Sequence, residues 1–139
     1  MKDLDDSKKK KIDDLIENAM RIFDPKNIEQ TILILEEAWD ILPAKKEDWK
    51  ESFLISKYIT HVYFNAEQYD NALVWAKKFN DSNPGRDYGE SEFMLGKILV
   101  KKNETKKAKK YFEIADKKSD GRVWKGEKDM NYFKVYKSK

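Results

Sequence analysis

Apolar side chains return every three or four residues along most of the chain, the spacing of one helix face. Over 8–23 they are Ile12, Leu15, Ile16, Ala19, Met20 and Phe23. The pattern breaks at Asp24-Pro25, where Asp24 can cap the next helix with Pro25 in its first turn. Asn27 is the other candidate cap, with Gln30 three residues on. A second helix, about 27–42, carries Ile28, Thr31, Ile32, Leu35, Ala38, Trp39 and Leu42, and Pro43 ends it. Asp48 and Glu51 have capping-box spacing and open a third helix, with Phe53, Leu54, Ile55, Tyr58, Ile59, Val62 and Tyr63 on its apolar side. A turn near Asn65-Ala66 leads to a fourth, about 67–80, with Tyr69, Ala72, Leu73, Ala76 and Phe79. The stretch 80–85 breaks it, and Asp87 with Glu90 repeats the capping spacing. A fifth helix, about 88–101, carries Phe93, Met94, Leu95, Ile98, Leu99 and Val100. After a turn at Lys102-Asn103-Glu104, a sixth helix, about 104–118, carries Ala108, Tyr111, Phe112 and Ala115, and Ser119-Asp120-Gly121 ends it.

These elements predict one helical domain over 1–139, made of three hairpins (8–43, 48–81 and 87–119) and a tail over 120–139. The hairpins can be set in register. Aligning Ala38, Phe79 and Ala115 also aligns Leu35, Ala76 and Phe112, then Thr31, Ala72 and Ala108. In the first helices Ala19, Thr60 and Gly96 align, as do Ile22, Tyr63 and Leu99; the periods are 41 and 36 residues. Small residues recur where two helix backbones would cross, and large ones sit beside them.

Tyr69-Asp70-Asn71-Ala72-Leu73 leading to Pro84, and Leu95-Gly96 leading to Ala108, Phe112 and Ala115, resemble the tetratricopeptide repeat. The likeness covers about 8–120. It is best in the third hairpin and weakest in the first, where Thr31 holds a small-residue position. The loops at 43–48 and 83–87 exceed the family's usual length. The resemblance implies an all-α fold: a right-handed stack of three antiparallel helical hairpins, an α–α superhelix. Trp124, Tyr132, Phe133 and Tyr136, with a short helix from about Asp129, suit a C-terminal cap over the last apolar face. An aromatic-basic binding tail is the other reading of that segment.

Composition sharpens the picture. Charged residues make up 40% of the chain and mean hydropathy is −0.90, yet aromatics reach 13%, which argues against disorder. Five Gly and three Pro are too few for a turn-rich β-sandwich. The absence of Cys excludes disulfide scaffolds and thiolate chemistry. Charge is unevenly spread: 97–139 carries +9 and 1–96 carries −6. Arg supplies three of the 29 basic residues, which disfavours nucleic acid as partner, because the planar fork suits phosphates and bases. The first residues contain no apolar stretch suited to a signal peptide. The run Ile32 to Leu35 falls far short of the ~20 residues of a membrane span. The expectation is a soluble, cytoplasmic protein with no membrane insertion.

Little points to catalysis. His61 is the sole His and falls mid-helix, where a groove or surface hydrogen-bonding role outweighs that of a base. Gly121 and Gly126 have phosphate-loop spacing, but Glu127-Lys128 follows them and a helix precedes them. Pairs such as Asp13/Glu17, Glu36/Glu37 and Glu47/Asp48 read as solvated helix surface. No catalytic, cofactor-binding or metal site is assigned, and the chain is read as a non-enzyme.

The resemblance implies instead a concave face lined by the first helix of each hairpin. Its inward positions fall on Ile16, Met20, Phe23, Leu54, Lys57, His61, Phe64, Asn65, Glu90, Phe93, Lys97 and Lys101. Asp13 and Met20 stand where chaperone-tail-binding relatives carry polar clamp residues, and the Asn of the second unit is absent, so a carboxylate clamp is not expected. The expected partner is another protein, held by a monomer or weak dimer. Small bacterial tetratricopeptide-like proteins encoded beside secreted toxins are similar, with a Gly-Arg…Gly-Glu…Tyr-Phe ending that here is Gly121-Arg122…Gly126-Glu127…Tyr132-Phe133. That likeness implies an immunity protein neutralising a cognate toxin. A secretion or assembly adaptor, a co-chaperone, or a basic nucleic-acid-associated module using Lys97–Lys118 are the alternatives.

Overall fold

The computed structural model describes residues 2–82 and 88–139. Among them are seven α-helices and no strand: α1 (Asp6–Arg21), α2 (Glu29–Ile41), α3 (Lys50–Asn65), α4 (Tyr69–Asp81), α5 (Glu90–Lys101), α6 (Thr105–Ser119) and α7 (Asn131–Lys137). Short 3-10 turns lie at Lys46–Asp48 and Arg122–Trp124. The chain forms two compact units, Met1–Pro84 and Gly85–Lys139. In the first, α1 packs on α2, α2 on α3 and α3 on α4. In the second, α5 packs on α6, and α7 lies against both. The all-α expectation holds among the described residues, and within each unit helices adjacent in the chain pack on one another.

Helix starts differ from the capping expectations. The turn after α1 closes first, with Asn27 N–H donating to the Asp24 carbonyl at 2.9 Å. Asp24 Oδ1 accepts from Lys26 N–H at 3.0 Å, so Asp24 shapes this turn and neither it nor Asn27 caps a helix. The α2 helix begins at Glu29 with Ile28 at its cap and no side-chain bond there. At α3 the N-terminal segment intervenes. Lys2 N–H donates to the Asp48 carbonyl at 3.1 Å, and Lys50 N–H to the Lys2 carbonyl at 3.2 Å. This isolated bridge holds Trp49 extended at the helix cap and leaves Asp48 in the preceding 3-10 turn. Tertiary pairing has overridden the local signal. The anticipated cap at Asp87, the breaker residues 83–85 and the closing Pro84 lie outside the described residues.

The repeat register coincides with burial. Ala38, Phe79 and Ala115 are buried, as are Leu35, Ala76 and Phe112, then Thr31, Ala72 and Ala108, and Ala19, Thr60 and Gly96. The set Ile22, Tyr63, Leu99 departs from it, with Ile22 exposed and Leu99 buried. Thr31 keeps its place because its hydroxyl donates to the Ala19 carbonyl at 3.3 Å, tying α2 to α1. The buried face of α3 includes three residues outside the apolar pattern: Ser52, Ser56 and Thr60. Their hydroxyls donate back along the helix, Ser52 to Trp49 O at 2.7 Å, Ser56 to Ser52 O at 2.6 Å and Thr60 to Ser56 O at 2.7 Å. Each buried hydroxyl is thereby satisfied without a partner from another helix. Leu54, expected on the apolar side, is 39% exposed.

Two glycines permit the close packing of α5 on α6. A Cβ on Gly96 would overlap the Phe112 ring. Gly89, at the start of α5, has φ +85 and would place a Cβ 2.8 Å from Ala115 Cα. Gly96→Ala gains about 1 kcal/mol of helix propensity, whereas overpacking costs about 1–3 kcal/mol or more. The new methyl meets a fully buried ring, so overpacking wins. Thermal denaturation should show a lowered melting temperature for Gly96→Ala and a larger loss for Gly96→Leu. An unchanged Gly96→Ala would mean that Phe112 can swing aside freely.

Candidate functional site

The expected contact residues fall into two groups, one in each unit. In the first unit, Lys57, His61 and Phe64 follow one another at i, i+4 and i+7 on α3, so they share a side of that helix; all three are half-buried. The Phe64 ring meets Tyr69 edge-on, with centroids 5.7 Å apart, and Asn65 is exposed at the helix end. Met20 and Phe23 are half-buried and lean on the hydrophobic core of this unit, of which Ile16 is a buried member.

In the second unit, the structure brings Phe93, Lys97 and Lys101 together on one side of α5, and the chain's own tail lies against them. Phe93 meets Phe112 at 5.7 Å and Trp124 at 5.2 Å. The Lys97 ammonium sits over the Phe93 ring at 5.3 Å and the Tyr132 ring at 5.4 Å, and pairs with Glu127 Oε2 at 3.1 Å. Both charged side chains are mostly buried, at 14% and 15% exposure. Lys101 is exposed, with its ammonium 5.8 Å from the Tyr132 ring. Glu90 is exposed in the first turn of α5.

Three carboxylates absent from the sequence-based assignment organise this unit. Glu92 is buried at 4% exposure, accepts a hydrogen bond from Ser91 Oγ at 3.0 Å and pairs with Lys118 across to α6. Asp116 accepts from Trp124 Nε1 at 2.9 Å and from Tyr136 Oη at 3.1 Å. Glu127 is the partner of Lys97. Apart from the Ser91–Glu92 contact between chain neighbours, no local spacing marks these pairs, since their members lie 8 to 30 residues apart. Burial raises the Tyr136 phenol above the ordinary tyrosine range, and the bond to Asp116 adds to it.

An open hollow of about 430 Å³ on the first unit was also missed; it is lined by Ile28, Glu29, Ile32, Leu33, Tyr63 and Gln68. Its signal in the sequence is Leu33, an aliphatic residue off the apolar stripe of α2 and 62% exposed. Among the described residues no group of three or more His, Asp or Glu is arranged to hold a metal ion. Among them, too, no helix is long and apolar enough to cross a membrane. No family model matches the chain, and neither a curated protein nor a solved structure matches it.

The geometry around the tail gives two expectations. Glu127→Gln should destabilise the second unit, because it removes the negative charge from an ion pair that is mostly buried. The charge-exchanged double variant, Lys97→Glu with Glu127→Lys, should recover part of that loss; a double-mutant cycle reading zero coupling would refute the pairing. The Tyr136 phenol holds its proton to higher pH folded than unfolded. Its contribution is therefore complete below the ordinary tyrosine range and lost as pH rises through the folded-state value. Tyr136→Phe should flatten the alkaline limb of stability measured by chemical denaturation, and an identical limb would contradict the assignment.

Proposed function

We propose that the chain is a tetratricopeptide-like helical-repeat protein whose hairpins stack in a right-handed superhelix and whose work is non-enzymatic binding of another protein. The sharper reading is an immunity protein that neutralises a bacterial toxin by covering its working surface. On this reading it acts in the cytoplasm, needs no cofactor and is a monomer or weak dimer. One observation carries the repeat reading: small residues that recur with periods of 41 and 36 are buried in every hairpin, including Ala19, Thr60 and Gly96. Such positions serve close helix crossings, and a repeat stack offers an extended face for one client.

The binding face is assigned to the first helices of the hairpins. On α3 it comprises Lys57, His61, Phe64 and Asn65, where an aromatic anchor stands beside basic and amide groups. The assignment also comprises Met20 and Phe23 of the first unit and, in the second unit, Glu90, Phe93, Lys97 and Lys101 of α5. Within the second unit the tail lies against Phe93 and Lys97, so the α3 strip of the first unit carries the test.

Aromatic anchors commonly dominate interface energy, whereas rim charges govern association rate. The test is co-expression with the toxic product of a neighbouring gene, coupled to binding kinetics on purified proteins. The parent chain should protect the cell. Phe64→Ala should weaken binding by about 2 kcal/mol, mainly through faster dissociation. Lys57→Glu should alter the association rate and its salt dependence. The reading is overturned if correctly folded Phe64→Ala and Lys57→Glu both bind as the parent does, or if no neighbouring product is bound.

A further inference from the structure

The hollow beside α2 shares no lining residue with the binding face assigned above, and its chemistry differs from that face's. Its floor is aliphatic and aromatic: Ile28 and Ile32 are buried, Tyr63 is half-buried, and Leu33 stands 62% exposed at the edge. Its surroundings are acidic. Glu29 lines it, and Glu36 follows one turn beyond Ile32 on the same helix. The α2 helix contains Glu29, Glu36, Glu37 and Asp40 and no Lys or Arg. Residues 1–84 as a whole hold 17 acidic and 13 basic side chains, a net −4. Tyr63 reports the same field: burial raises its phenol above the ordinary range, and Glu36 raises it further.

An apolar recess lined by one carboxylate, Glu29, with a second, Glu36, acting on its Tyr63, favours an occupant of opposite charge with an apolar anchor. We propose that this hollow docks a basic amphipathic segment of a partner protein, which sets a large aliphatic side chain against Ile32 and Leu33 and its lysines or arginines beside Glu29 and Glu36. The aliphatic contact supplies most of the affinity and the carboxylates supply sign selectivity. The site goes beyond the proposed function, since it centres on α2, with Tyr63 of α3 and Gln68 beside it, and uses none of the assigned contact residues. Its failure therefore leaves that reading standing.

The probe is a short fluorescent lysine–leucine helical peptide, with its glutamate–leucine counterpart as control, titrated against the full chain and followed by anisotropy. The lysine peptide should bind and the glutamate peptide should not. Leu33→Ser should weaken binding about tenfold, while Val74→Ser, at another exposed aliphatic on α4, should leave it unchanged. Glu29→Gln with Glu36→Gln should weaken binding and flatten its salt dependence. Leu33 is exposed enough for the variant to fold, and its melting curve verifies this. The proposal falls if Leu33→Ser binds like the parent, or if Val74→Ser loses as much. It also falls if sedimentation without peptide shows self-association that Leu33→Ser abolishes, because the occupant is then a second copy of this chain.

Discussion

The approach of α5 to α6 at Gly96 is the constraint on which the second unit depends. A hydrogen in place of a side chain lets the Phe112 ring lie against the α5 backbone. Fixed there, Phe112 becomes the hub of an aromatic cluster: Phe93, Trp124, Tyr132 and Tyr136 all meet it within 6.4 Å. The tail folds against that hub through Trp124, Tyr132 and Tyr136. Aromatic edges and faces impose orientation as well as burial, so a displaced Phe112 would misplace four rings together. The polar fastenings follow the same geometry. Asp116 lies one helical turn beyond Phe112 on α6, where it receives both the Trp124 indole N–H and the Tyr136 hydroxyl.

The first unit achieves close packing by another route. Its crossing positions are Ala19, Ala38, Ala72 and Ala76, all fully buried, with hydroxyl residues wherever a small side chain also carries a polar atom. Thr31 binds across to α1, while Ser52, Ser56 and Thr60 bind back within α3. A serine whose hydroxyl is satisfied by its own helix presents to its neighbour little more volume than alanine. Hydrophobicity counting places such residues outside. The helix geometry places them inside, because the cost of burying a hydroxyl vanishes once it has a partner.

That difference explains what was legible in the sequence. Helix existence and pairing rest on a periodic pattern repeated over a dozen or more residues, and the helices fall where the pattern put them, including the buried Ala and Phe positions of the repeat register. Helix starts rest on one or two residues, and there distant contacts prevailed. Lys2 pairing beside Trp49 shifted the beginning of α3, and the Asp24 turn delayed α2. Of the candidate contact residues, Phe93 and Lys97 were identifiable as an aromatic and a base on one helix side, but their engagement by Glu127 and Tyr132 was not. Ion pairs between segments 30 residues apart leave no local spacing to read.

The distribution of indoles has an optical consequence. Trp39, Trp49 and Trp75 belong to the first unit, and Trp39 meets Trp75 edge to face at 5.1 Å with the Lys78 ammonium nearby. Trp124 is the one tryptophan beyond residue 84, and it stacks on Tyr136 with ring planes 19° apart. Replacing the first three indoles by phenylalanine would leave a chromophore whose emission reports on tail attachment alone. Detachment would expose Trp124 to aqueous quenchers and shift its emission to the red, so the protein carries a built-in fluorophore for the second unit that needs no added dye.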